Sequence, residues 1–564
     1  MNDYQKIYRL WMDSPYFNAE TKCELSAIDD PKEIEDRFYR DLEFGTGGLR
    51  GIIGAGTNRM NIYTVRRSTF GLANYLAKHS LEPGKPISVA IAYDSRNYSR
   101  AFAENAASVL CACNIETYLF DKLAPTPELS FAVRSLKCSA GIMITASHNP
   151  KQYNGYKAYD HFGCQLNPDT ADEVISEIEQ IHDYESIPYM DVSAAYEKKL
   201  LKTIGQNVHD QFYEEILKQS LIHDFQCKEQ LSVLYTPLHG TGNIPVRTIL
   251  TKDGFCNVTV LAEQEMPDGD FSTVKSPNPE DKQALSLAIA KAEELSSDIV
   301  LGTDPDCDRV GIAIKSNGSY QLMTGNQVGV LLTHFILHQR NETNTLPSNG
   351  VVIKTIVTSE MSAPICRQFQ IAIADTLTGF KFIGELMTKF EQENSYQFLF
   401  GYEESYGYLA GTYARDKDAV VASMLICEMA AYWKSKNKTL IDVLNELYEE
   451  YGYYIDHNDS FSFEGIEGQR IIADIMSDFR NCDNAIFGEP HEKKDYWEEI
   501  DGFPKTNVLK FIFHDGSWLA VRPSGTEPKI KFYYSLRGTT KQQAIDRLDS
   551  MRKTVFLMTD KYKK

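Results

Sequence analysis

The sequence predicts a multidomain α/β protein, and three observations carry that reading. Its 564 residues are too many for one hydrophobic core and imply three to five domains. Short apolar runs alternate with helical patterns along the whole chain, the grammar of strand–helix units. Four of those runs break directly into loops dense in functional groups, and open α/β sheets bind ligands just beyond the carboxyl ends of their strands.

Composition narrows the class. Hydrophobic residues make up 43% and charged residues 24%, as in ordinary soluble globular proteins. A net charge of −20 disfavours nucleic acid and anionic membranes as partners. It leaves room for a small phosphorylated ligand in a local basic pocket. The first residues contain no uninterrupted apolar core of signal-peptide length. The most apolar stretch, 328–337, is interrupted by Thr333 and His334 and is too short to span a bilayer, so the cytoplasm is the expected location. The 11 cysteines include no CxxC pair and are expected to be reduced thiols, mostly packed in cores.

The four strand-to-loop units follow in order. Residues 141–144 (GIMI) run into TASHNP, 298–301 (DIVL) into GTDPDCDR, 398–400 (FLF) into GYEES and 518–521 (WLAV) into RPSGTEPK. Before the second of them, Asn278 and Pro279 are expected to start a helix as N-cap and first helical residue. Leu285, Ala288, Ile289, Ala292 and Leu295 would then form its buried face. Polar, poorly periodic joints near 185–207, 318–324 and 434–439 divide the chain into domains of residues 1–205, 206–322, 323–440 and 441–564. No low-complexity tract or strict short repeat occurs.

In GTDPDCDR, Asp304, Asp306 and Asp308 alternate, and in an extended segment alternate side chains point the same way. Three converging carboxylates require a hard cation. An EF-hand fails, because its sixth and twelfth positions would be Arg309 and Lys315. Three protein oxygens leave space for a phosphate oxygen, which suits Mg²⁺ better than a closed Ca²⁺ cage. A solvated acidic turn is the competing reading. In TASHNP, Ser147 by itself reads as a cap of a helix or turn. Beside a Mg²⁺ site it reads as a serine that carries phosphate. A serine-esterase elbow is excluded, since Thr145 and Asn149 occupy its two glycine positions.

In RPSGTEPK, Arg522 offers a bidentate fork to phosphate, Ser524 and Thr526 add hydroxyls, Gly525 permits close backbone approach and Lys529 adds charge. In GYEES, Glu403 and Ser405 share a face and suit a sugar's hydroxyls. Each of these two loops, taken singly, also fits a plain surface turn. GTGGLRG lacks the last glycine of a dinucleotide fingerprint, because Arg50 stands there, and no P-loop occurs.

Together, and in this order, the four loops resemble those of the α-D-phosphohexomutase superfamily. The chain is most similar to its long bacterial members of the phosphoglucomutase-2 and phosphopentomutase type. The resemblance implies a four-domain architecture, with three mixed α/β sheet domains and a smaller C-terminal α+β domain around a central cleft. It implies Ser147 as the phosphorylated nucleophile and Asp304, Asp306 and Asp308 as Mg²⁺ ligands together with a phosphoserine oxygen. Arg50 and Lys157 match groups for proton transfer or charge stabilisation. Lys157 is the better base, because arginine holds its proton too tightly. Glu403 and Ser405 match the sugar contacts, and Arg522, Ser524, Gly525 and Thr526 match the clamp on the non-reacting phosphate. His148, Arg309, His239, Thr378, Gly379 and Lys417 match further pocket positions, whereas Cys307 is too soft a ligand for Mg²⁺. The implied reaction interconverts glucose 1-phosphate and glucose 6-phosphate through glucose 1,6-bisphosphate. Ribose, deoxyribose or mannose phosphates are alternative substrates, and a Mg²⁺-dependent phosphatase is the rival class. The expected partners are small sugar phosphates only.

Overall fold

The computed structural model describes residues 3–45, 47–79, 86–316, 318–463, 465–488, 490–500, 502–524 and 529–562. The chain forms two compact units. The first comprises Met1–Met323, Phe380–Glu393 and Gly407–Tyr432, and the second Thr324–Gly379, Asn394–Tyr406 and Trp433–Lys564.

The first unit opens with three short helices, α1 (Asp3–Asp13), α2 (Ala19–Ser26) and α3 (Pro31–Phe38). Asn18 and Asp30 cap the last two by accepting from the backbone N–H groups of Thr21 and Lys32. Trp11, Phe17, Phe38 and Tyr63 pack their apolar faces together. A seven-stranded sheet follows, built from β1 (Phe44–Gly45), β2 (Gly48–Ile52), β3 (Ser88–Tyr93), β4 (Glu116–Phe120), β5 (Ala140–Ile144), β6 (Tyr153–Tyr159) and β7 (Leu201–Ile204). Its order is β1-β2-β6-β5-β3-β4-β7. Strands β5, β3, β4 and β7 run parallel, whereas β6 is antiparallel to both its neighbours, β5 and β2. The helices between these strands include α4 (Ile62–Lys78), α5 (Ser99–Ala112) and α6 (Thr126–Ser135). Every residue of β5 is buried, which is why it reads as a continuous apolar run rather than an alternation.

The second sheet of this unit holds β8 (Val233–Thr236), β9 (Val258–Val260), β10 (Ile299–Thr303), β11 (Val310–Ser316) and β12 (Ser319–Leu322), in the order β12-β11-β10-β8-β9. The helix before β10, α7 (Ser286–Leu295), starts seven residues later than Pro279. Asn278 Oδ1 instead accepts from Glu280 N–H at 3.0 Å and closes a local turn. The carbonyl of Pro279 lies so near Gly311 in β11 that a Cβ there would approach it to 2.2 Å. That packing holds the segment off the helix path. Leu285, Ala288 and Ala292 are buried as expected, but Leu295 is 45% exposed.

The second unit begins with α8 (Gly325–Glu342), entered through a capping box at Thr324. Strands β13 (Gly350–Thr355), β14 (Ala372–Thr376) and β15 (Gln397–Tyr402) are parallel, with β13 in the middle. The short β16 (Tyr408–Ala410) belongs to the first unit. The C-terminal region is α+β. Strands β17 (Tyr453–Ser462), β18 (Glu492–Asp495), β19 (Leu509–Ile512), β20 (Trp518–Pro523) and β21 (Lys529–Gly538) form an antiparallel sheet ordered β17-β21-β20-β19-β18. Ile475 and Phe479 of α9 (Gly465–Asn481) and Leu548 and Val555 of α10 (Lys541–Thr559) share its core. Three α/β sheets and a C-terminal antiparallel sheet therefore follow one another, as the sequence predicts. All 11 cysteines are unpaired. Among the described residues no helix is long and apolar enough to cross a membrane.

Candidate active site

The serine loop leaves the buried end of β5. Ser147 adopts a left-handed backbone, φ +51°, which a non-glycine residue keeps only where its surroundings hold it. Its N–H donates to Thr145 Oγ1 at 2.8 Å. The guanidinium of Arg96 holds the loop from behind. It donates to the carbonyls of Ser147 and Asn149 at 2.5 Å, of Pro150 at 3.0 Å and of Tyr153 at 3.1 Å. On the adjacent strand Gly155 is obligatory, because a Cβ would stand 2.4 Å from the Thr145 carbonyl.

Asp304, Asp306 and Asp308 lie at the end of β10 and are all buried. One ligand oxygen from each falls within 4.8 Å of the others. They converge by a route other than the extended alternation expected from sequence. Residues 304–308 form a tight turn in which Cys307 N–H donates to Asp304 O at 2.9 Å and Cys307 has φ +51°. Asp304 Oδ1 accepts from the backbone N–H groups of Asp308 (3.1 Å) and Arg309 (3.0 Å), which fixes the turn. Its other oxygen, Oδ2, accepts from Ser147 Oγ at 2.7 Å. The phosphoserine candidate and the acidic turn therefore meet at one point.

Cations surround the carboxylates. Lys157 on β6 lies 2.8 Å from Asp306 Oδ2 and 3.4 Å from Asp308 Oδ2. Lys417 lies 3.2 Å from Asp308 Oδ2 and 3.0 Å from Asp416. Arg309 pairs with Glu280 at 2.8 Å. Arg50 on β2 reaches Asn149 Oδ1 at 3.4 Å. His148 Nδ1 is 3.2 Å from Ser147 Oγ.

Burial pushes Asp304 well above the usual carboxylate range, reinforced by Asp306 and Asp308. Burial would also raise Asp306, but the Lys157 ammonium overrides it and holds that carboxyl low. Burial, then the charges of Arg309, Arg50, Arg96 and Lys157, drives His148 well below its ordinary value, so the imidazole is neutral. For Lys157, burial favours the neutral amine, yet Asp306 and Asp308 outweigh it and keep the ammonium. With no ion on the carboxylates, Lys157 is held as a cation by these two partners. Cys307 is buried and its thiol is pushed well up, unlike a ligating thiolate.

His239 is not drawn into this cluster. Its ring nitrogens bond the Met266 carbonyl (3.0 Å) and Thr273 Oγ1 (2.8 Å), an assignment that joins two loops of the fold.

The second unit holds the other two loops. Glu403 is buried, and its Oε1 accepts from Gly379 N–H at 2.9 Å, which joins the GYEES loop to the Thr378–Gly379 turn. Ser405 beside it is half-buried. Burial, then the charge of Glu403, pushes Glu404 up to about 7, with Lys531 and Arg522 opposing. Burial, then Glu404, pushes Tyr533 up, with Arg522 opposing. The sugar and phosphate loops of this unit therefore share one electrostatic environment. Ser524 N–H donates to Lys529 O at 2.7 Å at the base of the phosphate loop. Gly525 and Thr526 lie outside the described residues.

Sequence reasoning missed Arg96, Thr126 and Asp416. Thr126 Oγ1 donates to Asp306 Oδ2 at 2.8 Å. For Arg96 a signal existed: β3, SVAIAY, breaks directly into DSRN, a fifth instance of the same strand-to-loop grammar.

Comparison with known proteins identifies the family. Models of the phosphoglucomutase/phosphomannomutase family match its alpha/beta/alpha domain I at residues 41–185, domain II at 210–318, domain III at 324–451 and the C-terminal domain at 484–551. A phosphoglucomutase of Staphylococcus haemolyticus is 40% identical over 516 residues, 89% of this chain and 91% of its own. One from Staphylococcus aureus (strain MRSA252) is 37% identical over 524 residues, 90% and 92% of the two chains. Among solved structures, the open form of Paramecium parafusin, a phosphoglucomutase, superposes with a TM-score of 0.67 at 18% identity, covering 93% of this chain and 95% of its own. A family protein from Burkholderia thailandensis gives 0.67 at 17% identity, with 91% and 97% covered. These two structural likenesses concern the fold, whereas the family models and the staphylococcal relatives fix kinship: the chain belongs to the phosphoglucomutase/phosphomannomutase family.

Proposed function

We propose that the protein is a phosphoglucomutase, interconverting glucose 1-phosphate and glucose 6-phosphate through a phosphoserine at Ser147 and a glucose 1,6-bisphosphate intermediate. The observation that carries this reading is the 2.7 Å contact of Ser147 Oγ with Asp304, beside Asp306 Oδ1 and Asp308 Oδ1, two buried carboxylate oxygens without a hydrogen-bond partner. Buried oxygens that accept no hydrogen bond fit a hard cation, here with Arg309 Nε 3.8 Å from Asp308 Oδ1. Asp304, Asp306 and Asp308 would hold Mg²⁺, which supplies compensation for the charge of a phosphoryl group when bound.

The chain's own residues do the rest. The Ser147 phosphoryl group passes to the free hydroxyl of a bound sugar monophosphate. The bond from phosphorus to Oγ breaks as the bond to the sugar oxygen forms. The sugar hydroxyl gives up a proton and Oγ gains one, so no net proton is released. His148, with Nδ1 3.2 Å from Oγ, is the side chain placed to hold a proton at the serine oxygen. Lys157 and Arg50 stabilise charge on the transferring group. Glu403 and Ser405, with Thr378 and Gly379, grip sugar hydroxyls. Arg522, Ser524, Gly525 and Thr526 hold the phosphate that is not reacting, and Lys417 and Arg309 are further substrate contacts. The bisphosphate then turns over and returns its other phosphate to Ser147. The proposed location is the cytoplasm, as expected from the sequence.

The test is an assay with Mg²⁺ and a trace of glucose 1,6-bisphosphate, following glucose 6-phosphate formed from glucose 1-phosphate. Ribose 1-phosphate and mannose 1-phosphate run alongside. Turnover of glucose phosphate that falls by at least about 10⁴-fold in Ser147→Ala is the expected result. Faster turnover of ribose or mannose phosphate would reassign the substrate. Release of inorganic phosphate without isomerisation would replace the mutase by a phosphatase.

A further inference from the structure

Within the second unit, on the face where Trp518 opens β20, lies a cavity of about 490 Å³. That volume lies in the range of small-molecule sites. Its charged lining comprises Arg367, Lys494, Lys510 and Arg537 against Glu360, Asp375 and Asp515. The acids are already answered from within the fold. Asp375 pairs with the buried Lys354 at 2.9 Å, and Glu360 lies 3.4 Å from both Lys354 and Lys510. Asp515 pairs with Arg547, which is outside the lining. Lys494 lies 3.9 Å from Glu492, so the lining's surplus of positive charge falls on the guanidinium groups of Arg367 and Arg537.

The remaining wall is aromatic: Tyr454, Tyr496, Phe503 and Trp518. Trp518 is held by Lys510, whose Nζ lies 4.5 Å over its ring, and its indole N–H is buried without a hydrogen-bond partner. None of the site residues assigned above lines this cavity. A guanidinium surplus next to aromatic rings matches a ligand with a phosphate at one end and a flat ring at the other. Acid groups at the border can accept from its hydroxyls or amines.

We propose that this cavity is a second ligand site, which binds a ring-bearing phosphate monoester of nucleotide size. It is separate from the sugar-phosphate site, although β20 runs from Trp518 at the cavity to Arg522 at the phosphate loop.

Calorimetric titration of the full-length protein with AMP tests this, with adenosine and inorganic phosphate as partial ligands. Binding of one AMP per chain is expected, weakened about tenfold in Arg367→Ala, the loss of one charge-assisted contact. Arg367 is an exposed surface residue, so this variant keeps its mutase activity and its fold. Saturating glucose 1-phosphate should leave the AMP affinity unchanged. The proposal is overturned if millimolar AMP gives no binding. It is equally overturned if adenosine or phosphate alone binds as tightly, if Arg367→Ala and Arg537→Ala both bind normally, or if glucose 1-phosphate displaces the nucleotide. Loss of activity in the Ser147→Ala assay bears on the catalytic site alone and leaves this outcome independent.

Discussion

Arg96 shows how one side chain can set the geometry of a nucleophilic hydroxyl through the backbone that carries it. It is 3% exposed and gathers four carbonyls of the segment from Ser147 to Tyr153 on a single guanidinium. Asp94 stands 3.4 Å from its Nε and holds it in place. The left-handed Ser147 costs on the order of 1–2 kcal/mol by itself, and this fork is what keeps it there. Lysine keeps the charge but cannot span four acceptors. Arg96→Lys should therefore lower kcat by about 10²-fold or more while KM changes less than about threefold, because near-attack placement is lost and binding is not. Steady-state kinetics with glucose 1-phosphate checks this. A rise in KM with kcat intact would show instead that Arg96 serves substrate binding.

At the scale of the element, α8 makes a prediction unrelated to catalysis. Burial, and secondarily His338, pushes His334 down to about 4, with Glu446 opposing weakly. An unfolded chain would titrate it near 6.5. Between those values the unfolded state binds a proton that the folded state refuses, so stability present above about pH 6.5 is lost as the pH falls toward 4. His334 is partly exposed, and screening trims the loss to about 1–2 kcal/mol at pH 5. Urea midpoints at pH 7.5 and 5.0 should differ less in His334→Gln than in the native protein; an equal difference would place the acid sensitivity elsewhere. The elements were the legible part of this protein. Residues 141–144, 299–301, 398–400 and 518–521 fall in strands because their apolar runs are buried on both faces or in a shared core. The helix start at 279 was not legible, because the contact of Pro279 with Gly311 spans two elements distant in sequence. The candidate site was legible as residue types and hidden as geometry. The alternation of Asp304, Asp306 and Asp308 pointed to one cation, but the left-handed Cys307 that folds them together leaves no compositional mark. Nor could sequence show that Lys157 would lie 2.8 Å from Asp306 and 3.4 Å from Asp308.

For the molecule as a whole, the net charge of −20 complicates any statement about metal. A chain this acidic gathers divalent cations over its surface and is stabilised by their screening wherever they lie. The Asp304–Asp306–Asp308 site makes a narrower claim. Its carboxylates are buried and preassembled only in the folded first unit, so a cation bound there stabilises that state by mass action, about 2.7 kcal/mol at a hundred times the dissociation constant. In a unit of this size that corresponds to roughly 3–5 °C in melting temperature. Two compact units need not melt together, so the shift should fall on the transition that carries the first unit. Scanning calorimetry in EDTA, in Mg²⁺ and in NaCl of equal ionic strength separates the two effects. Mg²⁺ should raise that transition beyond the NaCl value, and Asp306→Asn should remove the excess while leaving the screening part. An excess that survives Asp306→Asn, or a Mg²⁺ scan matching NaCl, would assign the stabilisation to surface charge and leave the buried triad without a cation.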